Sequence, residues 1–228
     1  MTPLNAVNLL NPVNLQYPVI YPILDTALCR ERGLDPVAVA GACLRGGARL
    51  LQVRAARDEA SADLTVLVER IVAVGHAAGA RIVVNDRADI ARMAHADGVH
   101  VGQTDLAVAA ARAIVGPEGI VGVSTHDHQQ IDRALAGAAS YVAVGPIYRT
   151  ATKDTGYTPR GLDLVRYASG RGKPIVAIGG ITLDRVAEVV AAGASALAVI
   201  SDILAADDPE RRVRAFLARL PAQPFKVY

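Results

Sequence analysis

Two acids are the first residues in this chain whose type and spacing suggest chemistry. Asp86 closes the apolar run RIVVND (81–86), and Asp105 lies just past the run GVHVGQ (98–103). Neighbouring strands lie about 4.8 Å apart, so two such run ends can bring both carboxylates onto one hard cation. Mg²⁺ takes one or two carboxylates and keeps its other positions for water and substrate phosphate. The same two acids could instead cap the helices that follow them. A second group of residues suits phosphate. The segment GPIYRTATKDTGYTPRG (145–161) carries Arg149, Thr150, Thr152 and Lys153, and a loop of that length in a compact domain is usually either functional or simply solvated. AIGGI (177–181) brings Gly179 and Gly180, where the missing Cβ lets the backbone approach a ligand or merely turn. Backbone N–H groups at a helix start favour an anion. His126 follows Ser124 at a run end and could do acid–base work. His100, inside its run, reads as a packed core group. No HExxH, Cys/His cluster or Gly-x-Ser-x-Gly pattern is present, so neither a zinc site nor a hydrolase triad is expected.

These residues need a frame, and the sequence repeats one. Eight short apolar runs occur: VIYPILD (19–25), RLLQVR (49–54), RIVVND (81–86), GVHVGQ (98–103), IVGVST (120–125), YVAVGPI (141–147), PIVAIGG (174–180) and ALAVIS (196–201). Ala-rich stretches with helical periodicity lie between them. Ser61 and Thr182 are expected N-caps, and Gly193 an expected helix stop. Strict alternation implies parallel strands with right-handed crossovers. Eight units in 228 residues predict an α/β fold of the TIM type, a (β/α)8 barrel with a parallel eight-stranded closed sheet. No linker divides the chain. One catalytic barrel domain is expected over 19–220, with an N-terminal extension 1–18 and a tail 221–228. In such a barrel chemistry gathers at the C-terminal ends of the strands. Gln52, Arg54, Asn85, Asp86, Gln103, Ser124 and Ser201 all fall there, and the opposite strand ends show no comparable set.

Composition narrows the class. Apolar residues make up 52% and aromatics 4%, so small aliphatic side chains must fill the core, as suits strands buried on both faces. A net charge of +2 argues against a nucleic-acid partner, and no apolar run is long enough for a membrane span. Cys29 and Cys43 are too few for a disulfide framework. They read as reduced core thiols, and the cytoplasm as the expected compartment. Small phosphorylated molecules are the expected partners, and a homo-oligomer is compatible with the sequence.

VNDRADIA (84–91), ADGVHVGQTD (96–105), GVSTH (122–126), VGPIYRTATK (144–153), AIGGIT (177–182) and AVIS (198–201) together resemble the thiamine phosphate synthase family, over about Tyr21 to Phe216. Members join hydroxymethylpyrimidine diphosphate to a phosphorylated thiazole and release pyrophosphate. The resemblance implies Mg²⁺ on Asp86 and Asp105. It implies that Gln52, Val53, Arg54, Ala55, Ala56, Asn85, Ser124 and Lys153 meet the pyrimidine diphosphate, with Arg54, Ser124 and Lys153 as catalytic groups. Thr150, Ala151, Thr152, Gly180, Ile200 and Ser201 would meet the thiazole phosphate, the last three chiefly through backbone N–H.

One position departs. The family pattern at the second strand is Gln-x-Arg-x-Lys, and this chain has Ala56 where the Lys is expected. A charged hydrogen bond to phosphate contributes about 1.5–3 kcal/mol, so the loss should weaken an enzyme rather than silence it. Arg57 is placed to replace part of that charge. Two alternatives stand beside the synthase reading. A thiazole tautomerase relative would use His126 and would not need Asp105 or the Thr-x-Thr-Lys loop. A catalytically impaired ligand-binding homologue would owe its state to Ala56.

Overall fold

In a computed structural model, which describes residues 19–56, 58–150 and 156–221, each apolar run becomes one strand. They are β1 (Val19–Asp25), β2 (Leu50–Arg54), β3 (Arg81–Asn85), β4 (Gly98–Val101), β5 (Ile120–Thr125), β6 (Tyr141–Val144), β7 (Ile175–Ile178) and β8 (Ala196–Val199). All pairings are parallel and follow chain order, and β8 closes onto β1. The expected barrel is therefore present. Several strands stop before their apolar run does. Asp86, Gly145–Ile147, Gly179–Gly180 and Ile200–Ser201 leave the ladder and form the loops at the C-terminal mouth.

Alternation along the strands builds two cores. Tyr21, Ile23, Leu50, Val83, Ile120, Tyr141, Ala143, Val176, Ala196 and Ala198 fill the barrel interior. Leu24, Leu51, Val53, Val84, Val99, Val121, Val142 and Leu197 face the helix layer instead. Tyr141 fits inside because β5 carries Gly122 beside it. A Cβ there would stand 2.1 Å from the phenol ring carbon that bears the hydroxyl. Burying an aromatic side chain removes about 150–250 Å² from water, on the order of 4–6 kcal/mol at ~25 cal/mol per Å². That gain survives only if the buried phenol finds hydrogen-bond partners.

Several helices start on an acid. Asp35, Asp127 and Asp208 each accept a backbone N–H as N-cap, of Val37, Gln130 and Arg211 respectively, and Pro36 and Pro209 open two of those helices. Ser61 is the first helical residue rather than the cap. Ala60 holds the cap position, and the Ser61 hydroxyl accepts from Arg87. Thr182 does occupy an N-cap, but its side chain makes no capping bond and a short 3₁₀ turn, Leu183–Arg185, follows. Gly193 ends its helical segment as expected, at φ +97°. A short helix not expected from the sequence, Thr26–Glu31, follows β1 directly. Burial pushes the Cys29 thiol up to about 11 and the Cys43 thiol up to about 12, so both are unreactive core groups.

Two charged side chains tie loops together on the floor side of the barrel. The Arg112 guanidinium donates to the carbonyls of Gly116, Pro117, Gly119 and Ala138 and to the Ser140 hydroxyl. Asp97 accepts from Arg81 and from the Ile82 N–H.

Candidate active site

The inner-facing alternation of the core continues to the mouth. It carries Asp25 on β1, Gln52 and Arg54 on β2, Asn85 on β3, His100 on β4 and Ser124 on β5. Asp25 and Arg54 are register partners. Arg54 Nη1 lies 2.8 Å from Asp25 Oδ2, yet that buried nitrogen makes no aligned hydrogen bond. The contact is an ion pair in which the N–H vector misses the oxygen, so a guanidinium with donor capacity to spare is held at the rim. Asp25 is itself fixed, because its Oδ1 accepts from Leu28 N–H at 2.9 Å and caps the short helix.

Val53 has the opposite facing. Its side chain is fully buried in the helix-side core, so only its backbone borders the mouth. Ala56 N–H donates to Thr26 Oγ1 at 2.7 Å and to Glu59 Oε2 at 3.3 Å. The position where the family places Lys is thus anchored through its backbone, and Arg57 lies outside the described residues.

A buried polar chain crosses the barrel beneath these tips. Gln52 Nε2 donates to Tyr21 OH at 3.2 Å, and Tyr21 OH lies 3.1 Å from Tyr141 OH. Tyr141 OH lies 2.8 Å from His100 Nδ1, and His100 Nε2 lies 2.8 Å from Ser124 Oγ. Two expected ligand-binding residues, Gln52 and Ser124, are therefore the two ends of one chain. Its middle members were not expected from the sequence. His100 is in the core, as read, but it is bridged at both ring nitrogens. Desolvation pushes Tyr21 up to about 12 and Tyr141 well above the usual phenol range.

Neither acid caps a helix. The helix after Asp86, Ala88–Met93, has Arg87 at its N-cap and no side-chain cap bond. Asp86 is in the left-handed region at φ +63°, with its N–H donating to His100 O at 2.7 Å. The helix after Asp105, Val108–Val115, has Ala107 at its N-cap, also without a side-chain bond. Asp105 Oδ2 instead accepts from Gly102 N–H at 2.8 Å. Both acids are exposed. Asp86 follows the last residue of β3 directly, and Asp105 lies in the loop beyond Val101, the last residue of β4. These two strands pair directly. Gln103 Nε2 donates to Ser124 O at 2.6 Å and ties the β4 loop to β5.

The opposite side of the mouth is walled by glycine. Gly179 and Gly180 have φ of +103° and +64°, and a Cβ on Gly180 would stand 2.5 Å from Arg149 O. This closeness lets Ile147 N–H reach Ile178 O at 2.9 Å and Tyr148 N–H reach Gly179 O at 3.0 Å. Arg185 donates to Gly180 O at 2.5 Å while its guanidinium stacks 4.1 Å above the Tyr148 ring. Ile200 borders the barrel interior, and exposed Ser201 opens the helix Ser201–Leu204. Thr150 is half-buried beyond Tyr148. Ala151, Thr152 and Lys153 lie outside the described residues. His126 serves as a brace: its Nδ1 is 2.6 Å from Gly145 O and its ring stacks on Tyr157 with centroids 4.1 Å apart.

The chain is similar to known proteins over most of its length. The family model described as thiamine monophosphate synthase matches residues 20–203. A thiamine-phosphate synthase of Mycobacterium marinum is 45% identical over 214 residues, covering 87% of this chain and 94% of the relative. One from Roseiflexus is 40% identical over 201 residues, covering 88% and 84%. The solved thiamine phosphate pyrophosphorylase of Pyrococcus furiosus superposes with a TM-score of 0.80 at 27% identity, covering 92% of this chain and 96% of that one. On this evidence the chain belongs to the thiamine monophosphate synthase family.

Proposed function

We propose that the aminopyrimidine diphosphate lies along the tips of β2 to β5 and the thiazole phosphate along those of β6 to β8. The reaction is thiamine-phosphate synthesis, a transferase reaction. A phosphorylated thiazole and hydroxymethylpyrimidine diphosphate become thiamine phosphate and pyrophosphate. The methylene C–O bond breaks, with its electron pair leaving on the diphosphate oxygen. The thiazole nitrogen supplies the electron pair of the new C–N bond. No proton need be removed, so the step itself asks for no general base.

The single observation that carries the placement is Arg54. It is a buried guanidinium nitrogen without an aligned acceptor, 2.8 Å from a carboxylate that fixes its position. A diphosphate oxygen would supply that acceptor, and the bond would strengthen as negative charge builds on the departing group. Gln52, Asn85 and Ser124 share its facing and would hold the pyrimidine ring. Lys153 would add a second cation to the diphosphate. Thr150 and Thr152, with Ala151 between them, would border the thiazole. The backbone N–H groups of Gly180, Ile200 and Ser201 would meet its phosphate.

Asp86 and Asp105 fit a magnesium ion by donor chemistry. They are two exposed acids that follow paired strands, and no group of three or more His, Cys, Asp or Glu that could hold a metal occurs among the described residues. That set suits an ion that keeps water and phosphate oxygens as its remaining ligands. When bound, Mg²⁺ would neutralise charge on the diphosphate. The two buried thiols suit a reducing, cytoplasmic setting. No helix among the described residues is long and apolar enough to cross a membrane. Sizing of the purified chain distinguishes a monomer from a homo-oligomer.

The test is incubation with both substrates and Mg²⁺, followed by detection of thiamine phosphate. Asp86→Ala should lower product sharply. Full activity in that variant contradicts the metal assignment.

A further inference from the structure

We propose that the buried chain Gln52–Tyr21–Tyr141–His100–Ser124 is a proton-ordered positioning device that makes the pocket select an aminopyrimidine over an oxopyrimidine. The inference rests on the reading that Gln52 and Ser124 face the pyrimidine.

The order follows from counting protons. Each phenol has one O–H. Gln52 Nε2 donates to Tyr21 OH, so the Tyr21 proton is directed to Tyr141, 3.1 Å away. Tyr141 accepts that bond and sends its own proton to His100 Nδ1, 2.8 Å away. A neutral imidazole that accepts at Nδ1 carries its proton on Nε2. That proton is donated to Ser124 Oγ, 2.8 Å away. Ser124 thus receives a bond from within, and its own hydroxyl proton is available to a ligand. At the other end the inward Nε2 leaves Gln52 Oε1 as the group offered to a ligand. The pocket presents one acceptor and one donor. An exocyclic amine beside an unprotonated ring nitrogen is the matching edge.

The reversed order is equally self-consistent. With the Gln52 amide turned over, Oε1 would accept from Tyr21, every proton would shift by one bond, and His100 would carry its proton on Nδ1. Gln52 would then offer N–H₂ and Ser124 a lone pair, which matches an oxo group beside a ring N–H. One side-chain rotation and one tautomer separate the two specificities. Burial of both phenols keeps them protonated, so neither end can change its role alone without leaving a buried partner unsatisfied. A site of this kind discriminates through the unpaired group that the wrong ligand leaves. Tyr21, Tyr141 and His100 act here through Gln52 and Ser124.

The test compares kcat/KM for the aminopyrimidine diphosphate and its oxo analogue, each with thiazole phosphate, in the wild type, Tyr141→Phe and Ser124→Ala. The ratio of the two values within one preparation is independent of how much protein is active. Tyr141→Phe cuts the chain at its middle. It should lower the amino-over-oxo ratio about 10-fold or more, mainly through a raised KM for the amino substrate. Ser124→Ala should lower turnover of the amino substrate. A Tyr141→Phe variant that loses activity equally on both substrates overturns the inference and leaves Tyr141 a packing residue. Unchanged kinetics in Ser124→Ala overturns the underlying pocket reading as well. The wild type alone supplies a check that needs no variant to fold. Nitrogen NMR of His100 should show the proton on Nε2, and a proton on Nδ1 refutes the order.

Discussion

Arg54 and Asp25 face each other across β1 and β2 as register partners, 2.8 Å apart and without an aligned hydrogen bond. The pair keeps the guanidinium in place while leaving donor capacity for a ligand. Arg54→Gln should lower kcat/KM about 10- to 100-fold, the equivalent of one charge-assisted hydrogen bond of about 1.5–3 kcal/mol. Asp25→Asn should cost less. Asn is as good an N-cap as Asp, so the bond to Leu28 N–H persists and only the ion pair is lost. Steady-state kinetics on both variants measures this, and comparable unfolding curves for Asp25→Asn and the wild type confirm that the cap remains.

The left-handed backbone of Asp86 decides which substitution tests the metal site cleanly. At φ +63° Asn is tolerated, whereas Ala carries about 1–2 kcal/mol of strain. Asp86→Asn therefore removes the charge and keeps the loop. We expect it to reduce the rate on the order of 100-fold at fixed Mg²⁺, with part of the loss recovered as Mg²⁺ is raised. Asp105→Asn should behave likewise, since its amide oxygen can still accept from Gly102 N–H. Chelation of divalent ions should abolish turnover of the wild type. A rate insensitive to chelator removes the two acids from the metal role.

Much of this arrangement was legible in the sequence because barrel geometry turns linear spacing into position. Each apolar run became one strand, and polar residues at run ends became the mouth. Asp86 and Asp105 were ambiguous between caps and ligands, because both roles call for an acid after a strand. The helix starts, at Arg87 and Ala107, exclude the cap reading and leave the ligand reading as a proposal. The tyrosine–histidine chain was not legible. Its contacts join residues 120 and 41 positions apart, and no local pattern encodes such pairs. A signal did exist: Tyr21, Gln52, His100, Ser124 and Tyr141 share the inward facing of their strands, so a parity count would have gathered them. The helix Thr26–Glu31 was missed because Asp25 is both the last strand residue and the cap.

Gly180 offers a test of the thiazole side. Its φ of +64° and the 2.5 Å approach of Arg149 O to a would-be Cβ leave no room for a methyl group. Gly180→Ala should push the Tyr148–Arg149 backbone outward and raise KM for thiazole phosphate, with KM for the pyrimidine diphosphate little changed. Stability should fall by about 1–3 kcal/mol. Equal effects on both KM values would mean that the two substrates do not divide the mouth as proposed.

Ala56 raises the question of compensation. Arg57→Ala should lower the rate of pyrophosphate release if Arg57 supplies the charge that the family's Lys provides, and unchanged kinetics removes that role. Ala56→Lys should then raise kcat/KM by up to about 10-fold, the lower end of a charged hydrogen bond to phosphate. Its effect should be larger in the Arg57→Ala background, because two cations serving one diphosphate are not additive. Additive effects would mean that the two positions act on different groups.

The buried phenols also predict how the fold responds to alkali. An exposed tyrosine in the unfolded chain ionises near 10, and burial pushes Tyr21 up to about 12. Below pH 10 both states hold the proton, so Tyr21 gives no pH dependence. Between 10 and 12 the unfolded chain releases the proton and the folded chain retains it. Stability then falls as pH rises, at about 1.4 kcal/mol per unit for one such group. The raised thiols of Cys29 and Cys43 add to the loss in the wild type, so the variant comparison isolates the phenol. Tyr21→Phe should be less stable at neutral pH, because Gln52 Nε2 loses its buried acceptor. It should also lose stability more slowly above pH 10, so the two unfolding curves converge with rising pH. Chemical denaturation of both proteins between pH 8 and 11 measures the slopes. Parallel curves would show that the Tyr21 hydroxyl is not held in the dry chain that links Gln52 to His100.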